Sequence, residues 1–390
     1  MRIVDIRERA IVISRYADPA IPSGGLTTSL VAVVTDVVRA GRPVVGYGFS
    51  SIGRFAQSGL IRERFAPRLL NATHSALSDD AGTNLDPLRA WAVMMAGEKP
   101  GGHGERCVAV GTLDMAIWDA AAKIADLPLH RFLADRLGSK AQNPSRVRVY
   151  AGGGYRYPQD DIARLSDEMR RFAELGFTHA KIKIGSVALD QDRRRIEAAA
   201  AQLPDCGHLA VDAMNTYDAD AALAAAAALA PLGLWWFEDI CDPLDFTTQA
   251  RVAAAYDHPI AAGEALFSLA EARLLNLHGG LRSDRDVLLF DPVHCYGLTG
   301  YLDIVAHLAS KGWPRHAFWP HGGHFFCLHL VAALGLGGAE ISPLAFRPFR
   351  GLAAGMEIAS GFADLPQAPG IGFELHNEVW REFGSALGCG

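Results

Sequence analysis

Three carboxylates recur in step along the middle of the chain. Asp212 ends the run Leu209-Ala210-Val211-Asp212, Glu238 ends Trp235-Trp236-Phe237-Glu238, and Glu264 ends Ile260-Ala261-Ala262-Gly263-Glu264. The interval is 26 residues in both cases. That matches one strand–helix unit of an eight-unit barrel, which takes roughly 200 to 250 residues in all. Three acids at one end of successive strands repel one another, and burying them together is costly unless a cation neutralises them. All the donors are hard oxygens, and no His or Cys stands in register with them, which selects Mg2+ over zinc. Taken singly, each acid could be a helix N-cap; the equal register of all three argues for a shared ion.

One unit before Asp212 stands Lys181-Ile182-Lys183. Strand alternation puts both lysines on one face, and Ile182 and Ile184 suit an apolar helix layer, so the lysines point into the barrel. A lysine beside a second cation and a metal ion loses basicity, which makes it a base near neutral pH. Downstream, Asp291 and His321 each close a further unit. An Asp turned towards a His on the next strand fixes its tautomer and raises its basicity, giving a second acid/base across the barrel. The alternative for Pro320-His321-Gly322-Gly323-His324 is a zinc site, but no third ligand stands in register. Lys99-Pro100-Gly101-Gly102-His103-Gly104 lacks the ending of a phosphate loop and reads as a lid between domains, in which His103 and Arg106 either reach the site or tie the loop down.

These residues need a frame. From about 147 to 345, short strand-like runs alternate with Ala-rich amphipathic segments, including Ala180 to Ile184, Leu288 to Asp291 and Ala317 to His321. About eight such units predict a parallel sheet closed into a barrel. Before it, Leu30 to Val38 and Val44 to Phe49 flank a Gly-Arg-Pro turn and predict a hairpin. With the first segment they make a three-stranded antiparallel sheet, followed by helical periodicity over Leu85 to Met95 and Val108 to Ile124. The turn-rich stretch from Leu365 to Glu374 is expected to leave the barrel and pack on this first domain.

Composition narrows the function classes. The chain has 390 residues with formal net charge -6, and no clustered basic patch that would mark a nucleic-acid surface. No apolar run is long enough to span a membrane. The alternating, charged start from Met1 to Arg7 lacks a signal-peptide core, so a cytoplasmic location is expected. The six cysteines, Cys107, Cys206, Cys241, Cys295, Cys327 and Cys389, form no C-x-x-C pair and are expected as reduced thiols.

Together, K-I-K at 181 to 183, V-D-A at 211 to 213, F-E-D at 237 to 239, A-G-E at 262 to 264, Asp291, H-G-G-H at 321 to 324 and the closing L-P-Q-A-P-G-I-G-F-E resemble the enolase superfamily, specifically its mandelate racemase subgroup. Enolase-superfamily sites with a Lys or His base and Mg2+ are also a worked case of general principle. Within the subgroup, T-T-S-L-V-A-V-V-T-D at 27 to 36 and G-E-K-P-G-G-H-G-E-R at 97 to 106 most resemble the D-tartrate dehydratases. The resemblance implies an α/β fold, a (β/α)7β modified TIM barrel over 140–354. An α+β capping domain covers 1–125, and 355–390 packs back on it. It implies a dehydratase of a sugar diacid or hydroxy acid, or a racemase or epimerase working through the same enediolate. Mg2+ would be held by Asp212, Glu238 and Glu264. Lys183 would be the base, His321 supported by Asp291 the acid, and Lys181 a holder of the substrate carboxylate. Lys99, Asn215, Ser51 and His103 would be substrate contacts, and the protein would be a homo-oligomer. Two departures stand out. Met214 occupies the place where the family usually has Asn, with Asn215 following, and Ser50 and Ile52 stand where amide side chains are usual in the capping loop. Both put the identity of the substrate in question. A non-catalytic sugar-acid binding protein is a competing class, but it predicts the loss of a ligand or base, and all are present.

Overall fold

The computed structural model describes residues 1–138 and 144–388; the expected domain start at 140 and Cys389 lie outside the described residues. The chain opens with β1 (Ile3–Val12), β2 (Thr27–Arg39) and β3 (Arg42–Phe49), an antiparallel sheet in that order. Between β2 and β3, Ala40 and Gly41 both take positive φ, 48° and 76°, as a two-residue hairpin turn that follows the strand twist requires. The short helices α1 (Ala66–Leu70) and α2 (His74–Leu77) follow, then α3 (Pro87–Met95), whose first turn is capped by the Asp86 carboxylate. Next come α4 (Glu105–Ile124) and α5 (Leu129–Leu137).

Helix α4 is buried on nearly every side and forms a seam between the two parts of the molecule. On one flank a Cβ at Gly46 would lie 1.9 Å from the Ala116 carbonyl oxygen, and one at Gly48 2.5 Å from that of Thr112. On the other flank a Cβ at Gly111 would lie 1.8 Å from the Val293 carbonyl oxygen. Only glycine lets backbone approach backbone this closely. Farther along α4, the buried Asp114 carboxylate accepts the Leu298 N–H at 2.7 Å, capping a helix of the second part from outside.

That second part is the expected barrel. Its strands are β4 (Arg146–Gly152), β5 (Ala180–Lys183), β6 (Leu209–Asp212), β7 (Phe237–Glu238), β8 (Ile260–Ala262), β9 (Val287–Leu288) and β10 (Ala339–Ile341). The helices α6 (Asp161–Glu174), α7 (Leu189–Ala200), α8 (Ala219–Leu229), α9 (Phe246–Ala255), α10 (Leu269–His278), α11 (Gly297–Ala309) and α12 (Phe325–Leu334) alternate with them. Strands β4 to β9 pair in sequence, all parallel, and β10 returns to pair with β4. Between β9 and β10 the expected strand Ala317 to His321 is reduced to a single bridge, Phe318 to Leu288, with Gly337 N–H on the Phe318 carbonyl. The Trp319 and His321 N–H groups still bond the Leu288 and Leu289 carbonyls on either side of Pro320, which has no N–H of its own to give. Tyr150, Trp236 and Trp319 fill the barrel interior. Among the described residues no helix is long and apolar enough to cross a membrane.

The C-terminal stretch divides. The hairpin β11 (Ile358–Ala359) and β12 (Phe362–Asp364) pairs antiparallel with β4. Helix α13 (Asn377–Leu387) packs on the first sheet, with Trp380 and Phe383 against Tyr47. Between them the chain passes two buried histidines. His329 Nε2 donates to the Ile371 carbonyl at 2.9 Å, and its Nδ1 accepts the His130 backbone N–H at 3.1 Å. Burial holds both imidazoles neutral, His130 down to about 4 and His329 down to about 3. The unfolded chain protonates them near the ordinary value of about 6.5, so their contribution to stability is full above that pH and declines as the pH falls towards 4. Thermal unfolding followed from pH 8 to pH 4.5 should show Tm falling below about 6.5, and His329→Met should be less stable at pH 8 but lose less on acidification.

Candidate active site

The acids and bases singled out in the sequence meet at one end of the barrel. Asp212 and Glu238 are the last residues of β6 and β7, and Glu264 follows β8 by two residues. One carboxylate oxygen from each lies within 4.8 Å of the others. Asp212 and Glu238 are fully buried. Both lysines of β5 reach this cluster, as alternation requires: Lys183 bonds Asp212, and Lys181 bonds Glu238 and lies 3.7 Å from both Asp212 and Glu340. Glu340, on β10, is itself buried, and a Cβ at Gly152 would strike its side chain at 1.8 Å.

The electrostatics follow from crowding. Burial pushes the Glu238 carboxyl up, as it does that of Asp239, which neighbouring Glu264 and Asp212 raise further. For Asp212 burial acts in the same sense, but Lys183 and Lys181 overcome it and hold the group down to about 2. Burial lowers the basicity of Lys183, yet the Asp212 carboxylate in direct contact outweighs that and keeps the amine above its ordinary value. The expected lowering presupposes a metal ion drawing on Asp212; with protein charges alone the ammonium form wins.

The donor set fits a hard divalent cation. Glu264 Oε2 is buried without a hydrogen-bond partner among the described residues, an unpaired state that is costly unless an ion or water completes it. Glu238 is held from beneath, its Oε2 accepting Trp236 Nε1–H at 2.7 Å. This is the outer support that metal-binding carboxylates use.

Across the cluster from Lys183 lies His321. Its Nδ1 meets Asp291 Oδ2 at 2.9 Å, and its Nε2 stands 3.6 Å from Glu264 Oε2. Burial disfavours the imidazolium, but Glu264 and the Asp291 bond reverse that and raise His321 to about 9. The capping part completes this dyad. Ser51 Oγ donates to Asp291 Oδ2 at 2.7 Å and lies 3.2 Å from His324 Nε2, and Gly53 packs over the His321 ring.

The expected substrate contacts fare unevenly. Ser51 is fully buried and committed to Asp291, so it positions the dyad. Ser50 turns away and accepts from Thr112 of α4. Asn215 lies at the barrel mouth in the left-handed region (φ 58°), its amide on Asp239 Oδ2 at 3.2 Å. The preceding Met214 shares that strained conformation (φ 53°) and is exposed. Lys99 and His103 sit beside a separate cavity of about 260 Å3 between the loop 97–104 and Tyr296. Arg106 Nη2 and His103 Nδ1 bind the Tyr296 hydroxyl at 2.7 and 3.1 Å, and the Lys99 carbonyl accepts from Arg106 Nη1 at 3.0 Å. The loop is tied down there, away from the carboxylates.

Other members of the site went unread in the sequence. Trp236 could have been found by alternation, two residues before Glu238 on the same face. Glu340 needed the pairing of β10 with β4. His294, three residues after Asp291, is buried beside His321, with ring centroids 5.7 Å apart. Arg54 lies over the Phe267 ring at 4.5 Å and has no carboxylate partner among the described residues.

Comparison with known proteins places this geometry. Residues 164–379, more than half of the chain, match the family described as enolase C-terminal domain-like. The chain is 27% identical over 289 residues to arabinonate dehydratase of Saccharolobus solfataricus, covering 73% of this chain and 74% of that one. It is 30% identical to L-talarate/galactarate dehydratase of Salmonella typhimurium, covering 78% and 71%. The structure of L-talarate dehydratase from a Polaromonas species, complexed with Mg and L-glucarate, superposes with TM-score 0.73 at 25% identity over 97% of this chain and 96% of that one. With a barrel of this order, its acids at one end of the strands and a family match over most of that barrel, the chain belongs to the enolase superfamily.

Proposed function

We propose that the chain is a Mg2+-dependent hydro-lyase that converts a sugar acid, of the aldarate or tartrate type, into a 2-keto acid. The observation that carries this reading is the pair of proton-transfer groups on opposite sides of one carboxylate trio: Lys183 at Asp212, and His321 at Glu264. The sugar-acid dehydratases among the relatives support it.

Asp212, Glu238 and Glu264 would hold the ion, which when bound supplies the positive charge that favours ionisation of a C–H next to a carboxylate. Lys183 accepts that proton only as the free amine, and the carboxylate that now keeps it protonated, Asp212, is one that the ion would claim. The electron pair left on the α-carbon moves into the substrate's own carboxylate. Its return expels the β-hydroxyl, to which His321 Nε2 gives a proton, releasing water and leaving an enol that becomes the keto acid. His321, raised to about 9, enters this step protonated at neutral pH. Lys181, buried among Asp212, Glu238 and Glu340, fixes two members of the trio and supplies charge at its floor. Arg54 lies near enough to act on His294 electrostatically and offers its free guanidinium to the far end of the substrate. The placement of two bases across one trio also suits a racemase or epimerase, in which His321 returns a proton to the opposite face of the α-carbon.

A panel of four- to six-carbon mono- and dicarboxylic sugar acids, assayed with Mg2+ for keto acid as the semicarbazone, separates these readings. Dehydration predicts keto acid from one or a few members, reduced by roughly three orders of magnitude in Lys183→Ala. In His321→Asn, elimination should stop while solvent deuterium still enters the α-position. Inversion without keto acid would favour the epimerase, and exchange surviving in Lys183→Ala would remove Lys183 as the base.

Chelation of divalent ions should abolish turnover, with Mg2+ restoring it. Trp236→Phe, which deletes one hydrogen bond to Glu238, should raise the Mg2+ concentration for half-maximal activity by roughly tenfold and leave the saturated rate nearly unchanged. Equal Mg2+ dependence in the variant and the parent would deny Trp236 this role.

A further inference from the structure

A second group of donors lies against the first. Asp291 and His294, on the turn after β9, and His321, at the end of the segment beside β9, offer one donor atom each, all within 4.8 Å of one another. Asp291 Oδ2 is 2.9 Å from His321 Nδ1 and 3.6 Å from His294 Nδ1. An ion bound at about 2.0–2.1 Å with tetrahedral angles needs donors about 3.3 Å apart, and these two separations bracket that value.

The independent sign of a ligand is His294. Its side chain is 2% exposed, and among the described residues neither ring nitrogen has a hydrogen-bond partner. Buried imidazoles are normally satisfied on at least one side. Phe267 packs edge-on against this ring and the His321 ring lies on another side, so its surroundings are built. The Asp291 Oδ1 atom accepts the Val293 and His294 backbone N–H groups, which closes the turn and leaves Oδ2 towards the imidazoles.

We propose that Asp291, His294 and His321 form a second cation site, selective for a borderline transition ion such as Zn2+ and distinct from the carboxylate trio. Two imidazoles and one carboxylate favour Zn2+, whereas three carboxylates favour Mg2+. The neighbouring sites therefore sort ions by donor type. Occupation takes His321 Nδ1 and Asp291 Oδ2 out of their mutual hydrogen bond. On the reading proposed above, the ion and the acid function of His321 exclude each other, and Zn2+ inhibits the Mg2+-loaded enzyme; the site itself does not depend on that reading.

The test uses the full chain with Mg2+ in large excess. Co2+ is titrated in while its visible d–d absorption is recorded, and Zn2+ is then added. The expected result is a single Co2+ per chain with the intense absorption of a four-coordinate ion, displaced by Zn2+. Its binding should weaken by roughly tenfold or more in His294→Gln and persist in Glu238→Gln. Weak octahedral absorption alone, or a band lost in Glu238→Gln and kept in His294→Gln, overturns the proposal, because cobalt would then report on the trio. Since His294→Gln alters a packed site, crystals of the unaltered chain soaked in Zn2+ with Mg2+ give a second reading. An anomalous zinc peak bounded by Asp291, His294 and His321 supports the site, and peaks only at the trio or on the surface overturn it.

Discussion

Like-charge crowding at the barrel mouth is the constraint around which the molecule is arranged. Oxygens of Asp212, Glu238 and Glu264 lie within 4.8 Å of one another. At that distance and an effective dielectric near 20, each pair of charges repels by about 3.5 kcal/mol. Three such pairs rival the net stability of a whole domain, about 5–15 kcal/mol. The fold can hold them only because β5 brings Lys181 and Lys183 between them, and because three successive strands fix the acids on rigid backbone. Glu340, kept ionised by Lys181 and His321, adds to the negative side, so the lysines do not balance the cluster by themselves. A further positive charge is what the arrangement lacks.

The acid side of the site is assembled differently. His321 and Asp291 come from neighbouring positions of the barrel, but the hydroxyl that orders them, Ser51, comes from the first domain. That domain is held at this height by α4, which meets β3 through Gly46 and Gly48 and the barrel through Gly111 and Asp114. The first part of the chain therefore builds into the site through Ser51 as well as covering it.

How much of this was readable beforehand depended on the range of the contacts involved. The trio, the K-I-K pair and the Asp291–His321 couple could be placed because each strand contributes one residue at its end, one unit apart, and strand alternation settles the side. Lys99 and His103 could not, since their loop is directed by Arg106 on Tyr296, a contact spanning nearly two hundred residues. Ser51 was named for the wrong partner, because only the folded chain sets the cap loop over Asp291. The segment Ala317 to His321 lies between β9 and β10 as expected, but with one bridge and a few single hydrogen bonds in place of a regular strand.

The glycine at 111 has a meaning for how such a molecule diversifies. Helix backbone touching loop backbone leaves no side chain to absorb a displacement, so the cap and the Asp291 turn are welded along that line. New specificity cannot arise by tilting one part on the other without dragging the acid out of register. It must be written at the free margins, the tip carrying Gly53 and Arg54 and the mouth carrying Met214 and Asn215. There, changes of shape leave the weld, and with it the chemistry, intact.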